Sequence, residues 1–213
     1  MFPFRKNKKE KLVQLEEFEL WVDPQDQGIG ESLLKRAEKL SKGKNPGPER
    51  EPDFNWIIRN EIEGLSKLFQ VRPERLVIYD LGANIGLNTL IINNVVRKFL
   101  PPEKYIICSI EPNPRSAELL KKNILHNLAN AKLFSCAISD YNGQGQFHIS
   151  SRSNLGALLP HNATDAGTQT VAVFTLPAFA ETFRTGQPNF IKMDIEGGEV
   201  DVLKGARDYL AGC

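Results

Sequence analysis

The stretch VIYDLGANIGLNTL, residues 77–90, decides the fold of this chain. A short apolar run leads into an acid, and two glycines, Gly82 and Gly86, precede an amphipathic run. This order predicts a buried strand over residues 77–82 and a helix over residues 86–100. Because glycine has no Cβ, the turn between them allows a ligand to approach the main chain closely.

The same alternation continues beyond this stretch. Apolar runs predict further strands over residues 105–112, 132–139 and 189–195, and helical periodicity predicts helices over residues 115–128 and 197–210. Near-continuous apolar strands that alternate with helices are typical of a parallel sheet covered on both faces. The sequence therefore predicts an α/β, doubly wound, Rossmann-like sheet that binds ligands beyond the carboxyl ends of its strands.

The alternation is interrupted between the third and fourth predicted strands. Residues 145–150 and 170–176 have strand patterns and are joined by a polar loop. We interpret them as an antiparallel insertion, followed by a short helix over residues 177–183.

Residues 1–70 are predicted to form an N-terminal extension of helices and a hairpin, before a domain over residues 71–213. Residues 18–23 alternate as a strand, and residues 29–42 and 55–70 have helical patterns. In the second of these helices one apolar face is expected, made of Trp56, Ile57, Ile62, Leu65 and Leu68.

The bulk composition is that of a protein with a packed core. Of 213 residues 41% are hydrophobic and 25% charged, and the formal net charge is +1. This balance gives no electrostatic reason to expect a nucleic acid or an anionic membrane as partner. No apolar run reaches the roughly 18 residues that span a bilayer. Residues 1–11 are basic without an apolar run behind them, so we expect a solvated tail rather than a signal peptide.

The cysteines predict a reduced, cytoplasmic protein. Cys108 and Cys136 lie in apolar runs, Cys213 is the third, and no pair has the CxxC spacing. Three scattered histidines, His126, His148 and His161, complete no zinc site with them. No metal is therefore predicted.

The spacing of the glycine turn argues against a phosphate-binding loop. Counting from Gly82, the second and third positions of a G-x-G-x-x-G pattern are Asn84 and Leu87. Asp80 at the mouth of the turn would also repel an anion. A ligand with a positive charge and hydroxyl groups fits better, and a tight turn without a ligand is the alternative.

Two more acids end neighbouring strands. Glu111 ends the second strand, where a carboxylate accepts hydrogen bonds from vicinal ribose hydroxyls, worth about 1.5–3 kcal/mol each. Nicotinamide enzymes use the same position, so Glu111 alone does not discriminate between cofactors. Asp194 ends the fourth strand and faces the same cleft if the strand order is 3-2-1-4. Glu196 and Glu199 follow, and the helix dipole is a sufficient structural explanation for Glu199.

Four segments together resemble the FkbM family of S-adenosylmethionine-dependent methyltransferases. They are YDLGANIGLNT, SIEPNPRSAELLKKNILHN, AISDYNGQGQF and NFIKMDIEGGEVDVLKGA, in that order, and FELWVDPQD resembles the lead-in of the family. The resemblance implies a class I methyltransferase fold with S-adenosyl-L-methionine as cofactor. It also implies site residues: Asp80, Gly82, Asn84 and Gly86 around the methionine part with Asn88 nearby, Glu111 on the ribose, Asn113 beside the adenosine, Asp140 near the adenine edge, and Asp194 at the sulfonium and the acceptor.

The family resemblance further implies O-methylation of a hydroxyl on a sugar, glycolipid or natural product. Asp194 and Glu196 are the candidates for taking the hydroxyl proton, and cofactor positioning or a helix start is an equal alternative for both. The chain lacks the D-P-P-Y, N-P-P-Y and Pro-Cys runs of enzymes that methylate nucleobases. A methyltransferase-like protein that binds cofactor or a partner without catalysis is the second hypothesis.

The sequence supplies four of the seven strands that a class I methyltransferase sheet normally has. The strand NFIKMDI, residues 189–195, is therefore expected at an apolar edge. We expect that the C-terminal strands are missing because the sequence is a fragment, or that a second copy of the chain covers the edge.

Overall fold

The structure is a computed structural model that describes residues 10–47, 51–150, 152, 156–158 and 167–211. Most of the predicted basic tail and of the polar loop after residue 150 lies outside these residues, as do His161 and Cys213.

The elements follow one another in a strand–helix alternation after an N-terminal hairpin and two helices. In chain order they are β1 Lys11–Gln14, β2 Glu19–Val22, α1 Ile29–Ser41, α2 Pro52–Phe69, β3 Leu76–Leu81, α3 Leu87–Val96, a 3-10 turn Pro102–Lys104, β4 Tyr105–Ile110, α4 Pro114–His126, β5 Ala131–Phe134, β6 Ala137–Ile138, β7 Gly143–His148, β8 Thr168–Phe174, α5 Leu176–Phe183, β9 Phe190–Met193, α6 Glu199–Gly205 and α7 Arg207–Ala211.

Four parallel strands form the central sheet in the order β5-β4-β3-β9. This confirms the predicted Rossmann-like α/β sheet with strand order 3-2-1-4. Every residue of β3 and β4 is buried, because each strand has neighbours on both sides and helices on both faces. The register places Asp80 opposite Ser109 on one side and opposite Lys192 on the other.

Alternate residues of β3 serve two different cores. Leu76 and Ile78 face a cluster that includes the β1–β2 hairpin and helices α1, α2 and α3. Val77 and Tyr79 face a cluster that includes α5 and α6. The N-terminal extension thus shares its core with one face of the sheet, while a domain boundary at residues 70 and 71 stays a prediction.

The predicted apolar face of α2 is confirmed for Ile62, which is buried, and for Leu65, which packs against the core, but it is wrong for the other three residues. Trp56 is 66% exposed, and Ile57 and Leu68 are also exposed. The buried stripe is rotated around the helix and contains Asn55, Ile58, Ile62, Ser66 and Phe69. It tolerates polar members because each is small or bonded: the Ser66 hydroxyl donates to the Ile62 carbonyl at 2.6 Å.

The insertion is confirmed as a second sheet of order β6-β8-β7, with β7 and β8 antiparallel. Two of the predicted elements divide in the structure. The expected third strand over residues 132–139 divides, because β5 pairs with β4 in the central sheet whereas β6 pairs with β8 in the second sheet. The expected last helix over residues 197–210 likewise divides at Ala206 into α6 and α7.

Strand β9 lies at the edge of the central sheet among the described strands. Its cover by a second copy of the chain stays a prediction. Among the helices in the described ranges, none combines the length and apolar character needed to cross a membrane.

Candidate active site

A cleft lies at the carboxyl ends of β3, β4 and β9. Most of the predicted site residues line it together: Gly82, Asn84, Asn88, Glu111, Asp194 and Glu196. The extension contributes Ile29 and Asn55 to the wall, and the insertion contributes Phe147. The acids that the sequence places at separate strand ends thus meet at one edge of the sheet, as parallel strands require.

An apolar cavity of about 190 Å³ adjoins the cleft. It shares Gly82, Pro112 and Phe147 with the cleft and is lined further along by Ile138 and Asp140. Asp140 therefore lines this adjoining cavity and not the cleft, together with Gly82, which lines both. A flat apolar ring with one polar edge fits such a space, which is the shape of adenine.

Glu111 is a buried carboxylate held by two main-chain groups. Its Oε2 accepts a hydrogen bond from the N–H of Asn84 and its Oε1 from the N–H of Asn113, both at 2.8 Å. Burial raises the pKa of Glu111 from 4.5 to about 7, although the two N–H groups and Lys192 act in the opposite direction. Because each carboxylate oxygen accepts more than one hydrogen bond, Glu111 retains capacity for ligand hydroxyls.

Asn113 has a structural task in this arrangement. Its Oδ1 accepts from the N–H of Arg115 at 3.0 Å, so it caps the N-terminus of α4. Its own N–H supports Glu111, as described above. A contact between Asn113 and adenosine stays a prediction.

Asp80 does not line the cleft. It has no exposed surface, and its Oδ2 accepts a hydrogen bond from the Thr89 hydroxyl at 2.6 Å. Its Oδ1 lies 3.1 Å from the Lys192 ammonium, an ion pair whose angle does not qualify as a hydrogen bond. The charge of Asp80 is thus compensated inside the protein, and its predicted contact with methionine stays a prediction.

Lys192 is the residue that sequence reasoning missed. It is buried in the middle of β9, lines the cleft, and donates hydrogen bonds to the carbonyls of Gly82 at 2.9 Å and Leu81 at 3.3 Å. The available signal was a lysine inside an apolar strand, because lysine is almost never fully buried without a partner. The acid at the end of the adjacent strand, Asp80, was the obvious candidate for that partner.

The two glycines of the turn make room for the chain itself. Gly82 has a φ of +71°, and a Cβ there would lie 1.9 Å from the Asp194 carbonyl oxygen. Gly86 has a φ of +96°, and its Cβ would lie 2.7 Å from Leu120 Cδ1. Both positions therefore need glycine without any ligand. Gly82 lines the cleft, whereas Gly86 packs against α4, and ligand contacts of either remain predictions.

The loop after β9 carries the two predicted proton acceptors. Asp194 is exposed, and Glu196 is partly exposed in the left-handed region with a φ of +54°. Glu199 instead accepts a hydrogen bond from the N–H of Ile195 at 3.1 Å and closes the turn into α6. Asp194 and Glu196 both line the cleft, and a role of either as a base stays a prediction.

The lining of the cleft suits a ligand that donates hydrogen bonds and carries positive charge. Asn88 Oδ1 is buried without a hydrogen-bond partner in the described part of the chain. It adds to the carboxylates of Glu111, Asp194 and Glu196, whereas the ammonium of Lys192 is occupied by the protein. The start of α3 borders the cleft and can receive a carboxylate. S-adenosylmethionine has all three features. In the described ranges no group of three or more His, Cys, Asp or Glu side chains can hold a metal.

Sheet order and cleft together define an α/β protein of the class I methyltransferase type. Residues 80–213 match the family model described as "Methyltransferase FkbM domain". This match covers more than half of the chain, which therefore belongs to the FkbM family of S-adenosylmethionine-dependent methyltransferases.

Two relatives are named methyltransferases, one of hexuronic acid and one acting at a 2-O position. The chain is 26% identical over 153 residues to "Hexuronic acid methyltransferase AglP" of Haloferax volcanii, covering 72% of this chain and 59% of that protein. It is 27% identical over 201 residues to "2-O-methyltransferase NoeI" of Sinorhizobium fredii, covering 86% of this chain and 75% of that protein. The chain thus spans less than two thirds of the length of AglP.

A solved methyltransferase from Agrobacterium tumefaciens is 10% identical and has a TM-score of 0.35, covering 63% of this chain and 34% of that one. This likeness is too low for conclusions about the site.

Proposed function

We propose that this chain binds S-adenosylmethionine and methylates a hydroxyl group of a sugar-like acceptor. The observation that carries the proposal is the cleft of hydrogen-bond acceptors at three neighbouring strand ends, with Glu111 buried at its centre. The name of AglP supports a sugar-like acceptor, and the name of NoeI supports transfer to oxygen. A cytoplasmic location stays a prediction.

Each part of the cleft has a role in holding the cofactor. Glu111 accepts hydrogen bonds from the ribose hydroxyls, and Asn88 Oδ1 accepts one from the methionine ammonium. The N-terminus of α3 receives the methionine carboxylate. The cavity beside Asp140 takes the adenine. When bound, S-adenosylmethionine supplies a methyl group activated by its sulfonium, so the protein mainly has to orient the reactants.

The acceptor hydroxyl must also lose its proton. Asp194 and Glu196 lie on the same side of the cleft and can each take it. Glu196 differs from Asp194 in being only partly exposed.

The N-terminal extension provides a second cavity, of about 240 Å³, in which the acceptor can bind. Asn55 and Leu87 line both this cavity and the cofactor cleft. Its floor is apolar, and at its rim Arg59 donates two hydrogen bonds to Glu17, at 2.8 and 2.9 Å. An apolar floor with fixed donors and acceptors fits a sugar ring. On this proposal, Arg59→Met raises the acceptor KM and leaves cofactor affinity unchanged.

Calorimetry with S-adenosylmethionine and with NAD tests the cofactor assignment. Binding of the former alone is expected, and binding of NAD alone would refute the proposal.

A tritiated-methyl transfer screen against hydroxylated glycosides then tests the reaction. Cofactor binding without transfer to any acceptor would favour the second hypothesis, a silent methyltransferase-like binder.

A further inference from the structure

We infer that Lys192 is a positioning residue that fixes the cofactor-binding turn after β3, and that it is not the proton acceptor of the reaction. Lys192 is a charged residue inside β9, and its side chain reaches the end of the neighbouring strand β3. The consequence for cofactor affinity rests on the proposed function, whereas the effect on the turn itself does not.

The ammonium of Lys192 has three partners. It donates hydrogen bonds to the carbonyl oxygens of Leu81 and Gly82, at 3.3 and 2.9 Å, and forms an ion pair with the carboxylate of Asp80 at 3.1 Å. The side chains of Lys192 and Asp80 are 1% and 0% exposed, so water does not compete for these contacts. A charged donor strengthens the two hydrogen bonds.

The same turn is held from the opposite side by β4. The N–H groups of Gly82 and Ala83 both donate to the Ile110 carbonyl at 3.0 Å. The next N–H in the chain, that of Asn84, donates to Glu111. The peptide groups of the turn are thus fixed by the two neighbouring strands, β4 and β9. The side chain of β9 that takes part is that of Lys192.

This arrangement disqualifies Lys192 as a base. Its ammonium donates to two main-chain carbonyls and lies against the carboxylate of Asp80, so it is engaged as a donor inside the protein and is not turned to an acceptor hydroxyl. The role of proton acceptor therefore falls to the acids that face the cleft.

The competing explanation is that Lys192 only neutralises the buried charge of Asp80. A double variant distinguishes this explanation from a positioning role. Lys192→Met leaves Asp80 as a buried unpaired charge and should lower the melting temperature strongly. Adding Asp80→Asn removes that charge and should restore most of the loss. The single variant Asp80→Asn measures any direct contribution of Asp80 to cofactor binding. If Lys192 only balances Asp80, the double variant binds S-adenosylmethionine as that single variant does. If Lys192 positions the turn, the double variant binds at least tenfold more weakly, because the Gly82 carbonyl is then unheld and the Leu81 carbonyl keeps only the bond from the Asp194 N–H at 3.2 Å.

Amide hydrogen exchange provides a readout that needs no cofactor. In the double variant, exchange at residues 82–84 should rise at least tenfold while exchange in β4 stays unchanged. Unchanged exchange at 82–84 overturns the inference, even if the wild type binds no S-adenosylmethionine. A wild type that binds no S-adenosylmethionine would refute the proposed function but would not contradict this inference. Lys67→Met serves as the matched control, because Lys67 is exposed and paired on α2.

If the double variant does not fold, the variant Lys192→Arg tests the positioning role instead. Arginine keeps the charge that Asp80 needs, but its planar guanidinium cannot reproduce the three contacts of an ammonium. Exchange at residues 82–84 is again expected to rise, and wild-type exchange there would overturn the inference.

Discussion

Two groups of polar residues lie at the same sheet edge and have opposite surroundings. The floor consists of Asp80, Thr89, Ser109 and Lys192, and the rim consists of Asn88, Glu111, Asp194 and Glu196. In the floor the contacts run inward: Thr89 bonds Asp80 and lies 2.9 Å from the Ser109 hydroxyl. In the rim every side chain lines the cleft, and the carboxylate of Glu111 also accepts two main-chain hydrogen bonds. Among the acids at the strand ends, Asp80 is thus paired with a buried cation inside the protein, whereas Glu111 and Asp194 line the cleft.

The largest expected effect tests whether the floor serves folding. Asp80→Ala leaves the Lys192 ammonium buried without its counter-charge, which should cost about 3–5 kcal/mol of unfolding free energy. Urea denaturation without cofactor measures it. Asp194→Ala is the matched rim variant, and because Asp194 is exposed its cost should stay within about 0.5 kcal/mol. Equal costs at the two positions would abolish the distinction between floor and rim.

The next effect concerns the chemistry of the rim. Glu196→Gln and Asp194→Asn each remove a candidate base and keep the shape of the side chain. The variant that lacks the true base should lose about 10²–10⁴-fold in kcat. Its affinity for S-adenosylmethionine should stay near the wild-type value. Methyl-transfer rates measured beside calorimetry would assign the base, and full activity in both variants would exclude a carboxylate base in the rim.

The third effect concerns cofactor binding. Glu111→Ala removes the proposed ribose acceptor and should weaken S-adenosylmethionine binding by about 2 kcal/mol or more. Glu118→Ala on α4 is the control, because Glu118 is exposed. Calorimetry on both variants decides the question: an unchanged affinity in Glu111→Ala would refute the ribose assignment.

The smallest effect is a pH dependence. The pKa of Glu111 is about 7 in the fold and near 4.5 in the unfolded chain, so the folded state holds this proton more tightly. Its contribution to stability is complete below pH 4.5 and is lost as the pH rises through 7. Between pH 6 and 7 the unfolding free energy of the cofactor-free protein should fall by on the order of 1 kcal/mol. Urea denaturation of the wild type and of Glu111→Gln at several pH values would show this fall. An equal dependence of the unfolding free energy on pH in both proteins would contradict the prediction.

Local patterns predicted the sheet and the rim well. The apolar runs before Asp80, Glu111 and Asp194 are strong strand signals, and parallel pairing brings their ends together without further information. The floor escaped prediction because the role of Asp80 depends on Lys192, whose position beside it follows only from strand order. An acid at the end of a predicted strand thus indicates that it lies at the edge of the sheet, but it does not indicate whether it pairs inside the protein or lines the cleft.

Other misses also depend on distant partners. The strand expected over residues 132–139 divides because β6 finds its partner in β8, which comes much later in the chain. The buried stripe of α2 is set by the surface on which the helix packs rather than by its largest side chains, as Trp56 demonstrates. Gly82 is required by a carbonyl group of the loop after β9. None of these partners can be identified from the neighbouring sequence.

The bond between Lys192 and Gly82 joins positions 110 residues apart. During synthesis, the glycine turn leaves the ribosome long before the segment that fixes it, so a nascent chain ending before residue 190 lacks the contact between Lys192 and Gly82. Closing so long a loop is slow and entropically costly. The turn is therefore completed only after β9 has been made.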